Sequence, residues 1–507
     1  MHRERTPLSS RRIIRYAAVF AIVLLVVSSL LLRPQQSKPP VTMEDYQSQE
    51  LKWSSCYGDF QCATLLVPID YKELGKGRFT IQVLRFSARN QSERIGSLVI
   101  NPGGPGASGV NYAYNAEYVF GPEILDKYDI VGFDPRGVGL SSPIRCLTDK
   151  ELDASYAANS NPTNAQELET LIREVRSYVE KCESRNANIL SYGTADAARD
   201  MDLLRSALNE AKLNYLGASY GTYLGTLYAK FFPDKVGRMV LDGAIDPRAS
   251  STEQNLIQAM GFDTAVRSFI EDCYKSFDCP LDSPQSKAIA QIISLYSEAA
   301  ESPLPSSSQR AVTESLMVLG TASALYDSVS GWPKLREAIQ EAQAGVGTKF
   351  LALADEYTQR TRDGKYVNNE SDAAFVIDCL DWRQDRTTAQ IEAEAKSFSS
   401  KAPVFGPYLA YAGLSCQYFS DLSIKDDAIT TIDTSPVVII GTTRDPATPY
   451  VWAKALQKTI LNSRLISLDG DGHTGYGRGS TCVDSAVDLY FLRGKLPQKD
   501  LFCTATF

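Results

Sequence analysis

Apolar residues are grouped along this chain in three ways, and each grouping predicts a different kind of element. Residues 13–32 form an almost unbroken apolar run, interrupted only by Arg15, Ser28 and Ser29. Such a run is long enough to cross a hydrocarbon core of about 30 Å. A second pattern consists of short β-branched runs at residues 80–84, 96–100, 129–133, 213–216 and 238–241, with later ones at 437–440 and 464–468. Near-continuous apolar strands separated by helical stretches indicate a mostly parallel sheet with helices on both faces. The third pattern fills residues 247–432 with helical stretches rich in Ala, Glu, Gln and Ser, and carries no strong strand signal.

These patterns predict a domain order. A basic cytoplasmic tail (1–12) leads into a transmembrane signal anchor (13–32) and a polar linker (33–50). An α/β core follows in two parts, 51–246 and 433–507, split by a helical insertion at 247–432. Arg3, Arg5, Arg11 and Arg12 precede the apolar run, so the positive-inside rule places the remainder outside the cytoplasm. No small-residue cleavage site follows the run, which favours an anchored form over a secreted one released by signal cleavage.

Charge and composition narrow the function classes. The first 33 residues carry a net +5, which leaves the remainder at −13 against −8 for the whole chain. An acidic surface does not suit phosphate contacts, so nucleic acid is not an expected partner. Ten cysteines suit an oxidising compartment. Nearest neighbours in sequence suggest five pairs: Cys56 with Cys62, Cys146 with Cys182, Cys273 with Cys279, Cys379 with Cys416, and Cys482 with Cys503. Spacing alone does not determine connectivity. There is no C-x-x-C and only two histidines, His2 and His473, so neither a metal nor another cofactor is expected.

The chemistry-bearing motif is Gly217-Ala218-Ser219-Tyr220-Gly221, a G-x-S-x-G pattern at the end of a predicted strand. Its glycines allow a tight strand-to-helix turn that exposes the serine. A serine needs a base, and His473 is the one histidine outside the leader. It lies in the loop Asp469-Gly470-Asp471-Gly472-His473-Thr474-Gly475. Asp445 follows the strand at 437–440 and completes the chain order Ser, Asp, His. Asp469 and Asp471 are rivals for that role, but they lie so close to His473 in sequence that a solvated turn suits them better. The expected oxyanion donors are the backbone N–H groups of Tyr220 and of Gly104, in the loop Asn101-Pro102-Gly103-Gly104-Pro105-Gly106.

With these residues in place, the sequence resembles the exported tripeptidyl aminopeptidases of actinobacteria, relatives of prolyl iminopeptidase among the α/β-hydrolases. The likeness is carried by Cys62-Ala63-Thr64-Leu65-Leu66-Val67-Pro68-Ile69-Asp70-Tyr71, the Gly103-Gly104 loop, Gly132-Phe133-Asp134-Pro135-Arg136-Gly137-Val138-Gly139-Leu140-Ser141, the serine turn and Gly472-His473-Thr474. The resemblance implies an α/β-hydrolase fold, cleavage of peptides from a free N-terminus, and a helical insertion that caps the site. It also implies that cap carboxylates hold the substrate amine, for which Asp378 and Asp381 are candidates. Pro102 stands where prolyl iminopeptidases carry histidine, which removes support for single-proline specificity. A monomer is expected. An ester hydrolase is the alternative activity, and an inactive envelope-binding protein the alternative class.

Overall fold

The structure is a computed structural model that describes residues 39–382, 386–419 and 429–505. The expected anchor at 13–32 lies outside the described residues. Among the described residues no helix is long and apolar enough to cross a membrane.

Ten strands form one sheet: β1 (Ser54–Cys56), β2 (Phe60–Pro68), β3 (Arg78–Phe86), β4 (Gly96–Asn101), β5 (Tyr128–Phe133), β6 (Leu213–Ala218), β7 (Val236–Asp242), β8 (Val437–Arg444), β9 (Ser463–Asp471) and β10 (Leu501–Thr504). Their spatial order is β1-β2-β3-β5-β4-β6-β7-β8-β9-β10. β1, β2, β3 and β5 pair antiparallel, whereas every pairing from β5 through β10 is parallel. Each residue of β4 and β5 is buried, as expected of parallel strands covered on both faces. All seven strands legible from sequence are present. The antiparallel pair β1–β2 and the edge strand β10 have no clear β-branched signal.

Chain direction across the sheet reverses at β4, which lies between β5 and β6. Asn101 at the end of β4 is in register with Gly217 at the end of β6. The loop after β4 and the turn after β6 therefore emerge side by side, at the switch point where open α/β sheets bind ligands. Between β7 and β8 the chain runs through the helical insertion, which begins at a capping box: Ser250 Oγ accepts from Glu253 N, and the Glu253 carboxylate accepts from Ser250 N. The insertion builds its own apolar cluster around Phe269, Trp332 and Phe350, and forms one compact unit with the sheet, Thr42–Phe507.

Within the linker expected at 33–50, residues 42–49 pack on the core rather than forming a free spacer. Thr42 caps a short helix, Met43–Gln47, whose Tyr46 is buried against the core, and the Gln49 amide bonds the backbone of Leu66. Its polar composition conceals the single aromatic anchor that docks it.

The cysteines form five disulfides, and each joins the pair that sequence proximity suggests. Cys56 is bonded to Cys62, closing the β1–β2 turn, and Cys146 is bonded to Cys182, tying the segment after β5 to helix Ala165–Arg185. Within the insertion Cys273 is bonded to Cys279, and Cys379 to Cys416. Cys482 is bonded to Cys503, fastening helix Thr481–Arg493 to β10 at the sheet edge. All ten cysteines are therefore structural cross-links and none is a free thiol, which suits an oxidising compartment.

The Asp134-Pro135-Arg136 motif is scaffold for the switch point. Asp134 accepts from Ser108 Oγ at 2.6 Å, Val110 N at 3.1 Å and Leu140 N at 3.1 Å, which ties it to the segment leaving the glycine loop. Arg136 is fully buried. It donates from Nε and Nη2 to Asp200 at 2.7 and 2.6 Å, and to the carbonyls of Pro68 and Ser191. Removing one partner of such a pair strands a buried charge and costs about 3–5 kcal/mol. Asp200→Ala is therefore expected to lower unfolding stability by that amount in a denaturant titration, and a loss under about 1 kcal/mol would contradict the role given to this pair.

Candidate active site

The turn between β6 and helix Tyr220–Phe231 follows from close packing. A Cβ at Gly217 would lie 2.3 Å from the Gly221 carbonyl, so no side chain fits there. Ser219 has φ 54° and ψ −126°, a backbone strain that persists only where the surroundings over-determine it. Its N–H donates to the Asp242 carbonyl at 2.8 Å, and its carbonyl accepts from Thr222 N at 2.8 Å and Thr222 Oγ1 at 2.7 Å. Opposite the turn, a Cβ on Gly103 would fall 2.6 Å from the Ala218 carbonyl and 2.8 Å from the Ser219 Cβ. The glycine loop therefore abuts the serine directly. Gly104, Ser219, Tyr220 and His473 all line one cavity of about 780 Å³.

Asp445 is buried and accepts from five donors: Ala447 N, Thr448 N, Thr448 Oγ1, Thr474 N and His473 Nδ1, all between 2.9 and 3.0 Å. So many donors suit an acceptor-only carboxylate. With the Nδ1 proton directed at Asp445, Nε2 is the ring nitrogen left for proton transfer. Asp469 and Asp471 take no part in this contact. Both pair instead with Arg444, through Nη1 at 2.7 Å and Nε at 2.8 Å, so their role is an ion-paired cluster rather than the solvated turn expected from sequence.

Asp242 and Tyr326 are not apparent from sequence. The Asp242 carboxylate accepts from Gly475 N and Tyr476 N at 2.9 Å each, just beyond His473, while its carbonyl holds Ser219. Burial pushes it up to about 6 despite these donors and the nearby His473. Its one legible sign is an acidic residue ending an apolar strand. Tyr326 comes from the insertion, and no sequence pattern links it to His473.

The insertion contributes one side of helix Glu370–Asp381 to the cavity: Glu370, Ala374 and Asp378, at i, i+4 and i+8, with Ser371 beside them. Asp378 is exposed at the cavity wall, and desolvation by the surrounding protein together with the Asp381 charge pushes it up to about 8. Burial likewise raises Glu370 to about 7, opposed by a hydrogen bond with Asn368. The described lining residues include no lysine or arginine. Asp381 is placed differently, outside the cavity lining: it accepts from Thr194 N at 2.9 Å and from Thr194 Oγ1, at the start of helix Thr194–Ala207. Its neighbour on the same helix is the better of the two amine candidates.

A carboxyl held above its unfolded value favours the fold while protonated, and that contribution is lost as pH rises from its unfolded value towards the folded one. For Asp378 the window runs from about 4 to about 8. Asp378→Asn is expected to raise Tm at pH 8 and to leave it unchanged near pH 4, measured by calorimetry. An equal shift at both pH values would separate the effect from ionisation.

Comparison with known proteins agrees with this geometry. The family described as "alpha/beta hydrolase fold" matches residues 96–479. Serine protease Hip1 of Mycobacterium tuberculosis is 32% identical over 99% of this chain and 100% of that protein. Carboxylesterase B of the same species is 37% identical over 87% of this chain and 86% of its own length. Tripeptidyl aminopeptidase of Streptomyces lividans is 30% identical over 89% and 86% respectively. A serine at a strained strand-to-helix turn, a histidine bonded to an aspartate after the next strand but one, and a family match across most of the sheet converge: the chain belongs to the α/β-hydrolase family.

Proposed function

We propose that this protein is a serine exopeptidase that cleaves peptides from a free N-terminus. The observation that carries the reading is a single cavity holding Ser219, His473 and two carboxylates, with no described cation to neutralise them. Ser219 Oγ attacks the scissile carbonyl while His473 Nε2 takes its proton. Asp445 holds the imidazole and stabilises its charged form. The N–H groups of Gly104 and Tyr220 stabilise the negative charge that develops on the carbonyl oxygen. Collapse of the tetrahedral intermediate passes the proton from His473 to the leaving amine, and water then enters by the same route in reverse to release the acyl group. Asp378, with Glu370 on the same face, receives the substrate α-ammonium, whose positive charge favours the ionised carboxylate that desolvation opposes in the empty cavity.

Similarity to Hip1 and tripeptidyl aminopeptidase supports peptide substrates. Similarity to carboxylesterase B supports the second reading, ester hydrolysis by the same residues. The arginine-flanked apolar run at 13–32 supports attachment to the membrane with the catalytic unit outside, and the five disulfides suit that compartment.

Ser219→Ala is expected to abolish labelling by a fluorophosphonate, and retained labelling would remove Ser219 from the mechanism. Free peptides should be cleaved and their N-acetylated counterparts left intact, as read by mass spectrometry; cleavage of both would rule out the exopeptidase reading. A charge-assisted hydrogen bond is worth about 1.5–3 kcal/mol. Asp378→Asn should therefore lower kcat/KM on free peptides about 10- to 100-fold and leave hydrolysis of a small nitrophenyl ester near wild type. Equal losses on both substrates would show that Asp378 does not read the amine.

A further inference from the structure

The two sides of His473 are held by different parts of the protein. On its C-terminal side the core holds the backbone: Thr474 N donates to Asp445 at 3.0 Å, the Thr474 carbonyl accepts from Thr442 Oγ1 at 2.7 Å, and Gly475 N and Tyr476 N donate to Asp242. His473's own N–H instead donates to the Tyr326 carbonyl at 2.9 Å, and Tyr326 belongs to the helical insertion. The Tyr326 ring also stands edge-on to the imidazole, with centroids 5.0 Å apart and planes at 76°. Next along the chain, Asp327 pairs with Arg478 at 3.5 Å, five residues beyond the histidine. Gly472 lies under the same carbonyl, where a Cβ would come within 2.9 Å of the Tyr326 oxygen at φ +102°.

Behind this contact lies a second cavity of about 280 Å³, bounded by Tyr326, Asp327, Asp471, His473 and Arg478. Open space there means that packing alone does not confine the loop from that side. The main-chain bond and the ring contact to the insertion do.

We infer that Tyr326 is a positioning residue for His473, so that the imidazole reaches Ser219 in working geometry only while the helical insertion is docked on the loop. The insertion then does more than shape the cavity: it completes the proton-transfer machinery. The inference rests on the assignment of Ser219 and His473 as nucleophile and base. Its physical basis is that a misplacement of about 1 Å at a reacting group costs about 10²-fold in rate.

The test uses the intact protein, a fluorophosphonate probe and an N-terminally free tripeptide arylamide. Tyr326→Leu, which removes the ring, is expected to lower kcat and the labelling rate about 10²-fold, with KM changed less than about threefold. Tyr326→Phe keeps the ring and should restore both rates to within a few-fold of wild type. Gly472→Ala, acting from the core side of the contact, should reproduce the loss, and it carries the test alone if Tyr326→Leu does not fold. Wild-type labelling by Tyr326→Leu or by Gly472→Ala, alongside a silent Ser219→Ala, would overturn the inference and leave the serine mechanism standing. Labelling of Ser219→Ala would overturn that mechanism itself.

Discussion

Asp242 ties together the two segments that carry Ser219 and His473. It ends β7 beside the serine turn, and its main-chain carbonyl takes the Ser219 N–H while its carboxylate takes two N–H groups just after His473. Ser219 and His473 come from segments more than two hundred residues apart, yet both segments are fastened to this one buried residue. Burial raises the carboxyl to about 6, a desolvation cost that the hydrogen bonds to it only partly offset. Such cost is characteristic of functional sites, where geometry is held against local preference.

A similar tension shapes the cavity. Asp378 and Glu370 face inward from one helix without a described cation beside them, and both are raised by burial. Carboxylates without a neighbouring cation in a desolvating cavity are unfavourable for the empty protein and favourable for a ligand that brings its own positive charge. Arg136 has the opposite arrangement. Its charge is buried together with Asp200 and several carbonyls, so it holds the scaffold and presents no charge to a ligand.

Much of the sheet is legible in the sequence because parallel strands buried on both faces leave continuous apolar runs. β2 escapes notice because its exposed and buried residues alternate only in part, and β10 because it is only four residues long at a sheet edge. The serine turn, the aspartate after β8 and the lone candidate histidine are legible because glycine spacing, chain order and scarcity each leave a mark on sequence. Asp378 and Asp381 cannot be told apart that way. They are three residues apart on one helix, and only the direction in which each side chain points separates a cavity lining from a helix cap.

The amino-acid sequence by itself determined the fold class, the insertion between β7 and β8 and the order Ser219, Asp445, His473, because each of these is written in local periodicity, spacing or count. For the cysteines it offered pairs by proximity, and the folded chain made the connectivity definite by bringing those partners together. The tertiary structure alone decided which further residues surround Ser219, Asp445 and His473. Asp242, Glu370 and Tyr326 act through contacts between distant segments: the pairing of β6 with β7, the face of one helix turned into a cavity, and the seating of the insertion on the histidine loop. Contacts of that kind depend on how elements pack, and a hydrogen bond from His473 to a main-chain carbonyl leaves no trace in the identity of the residue that accepts it.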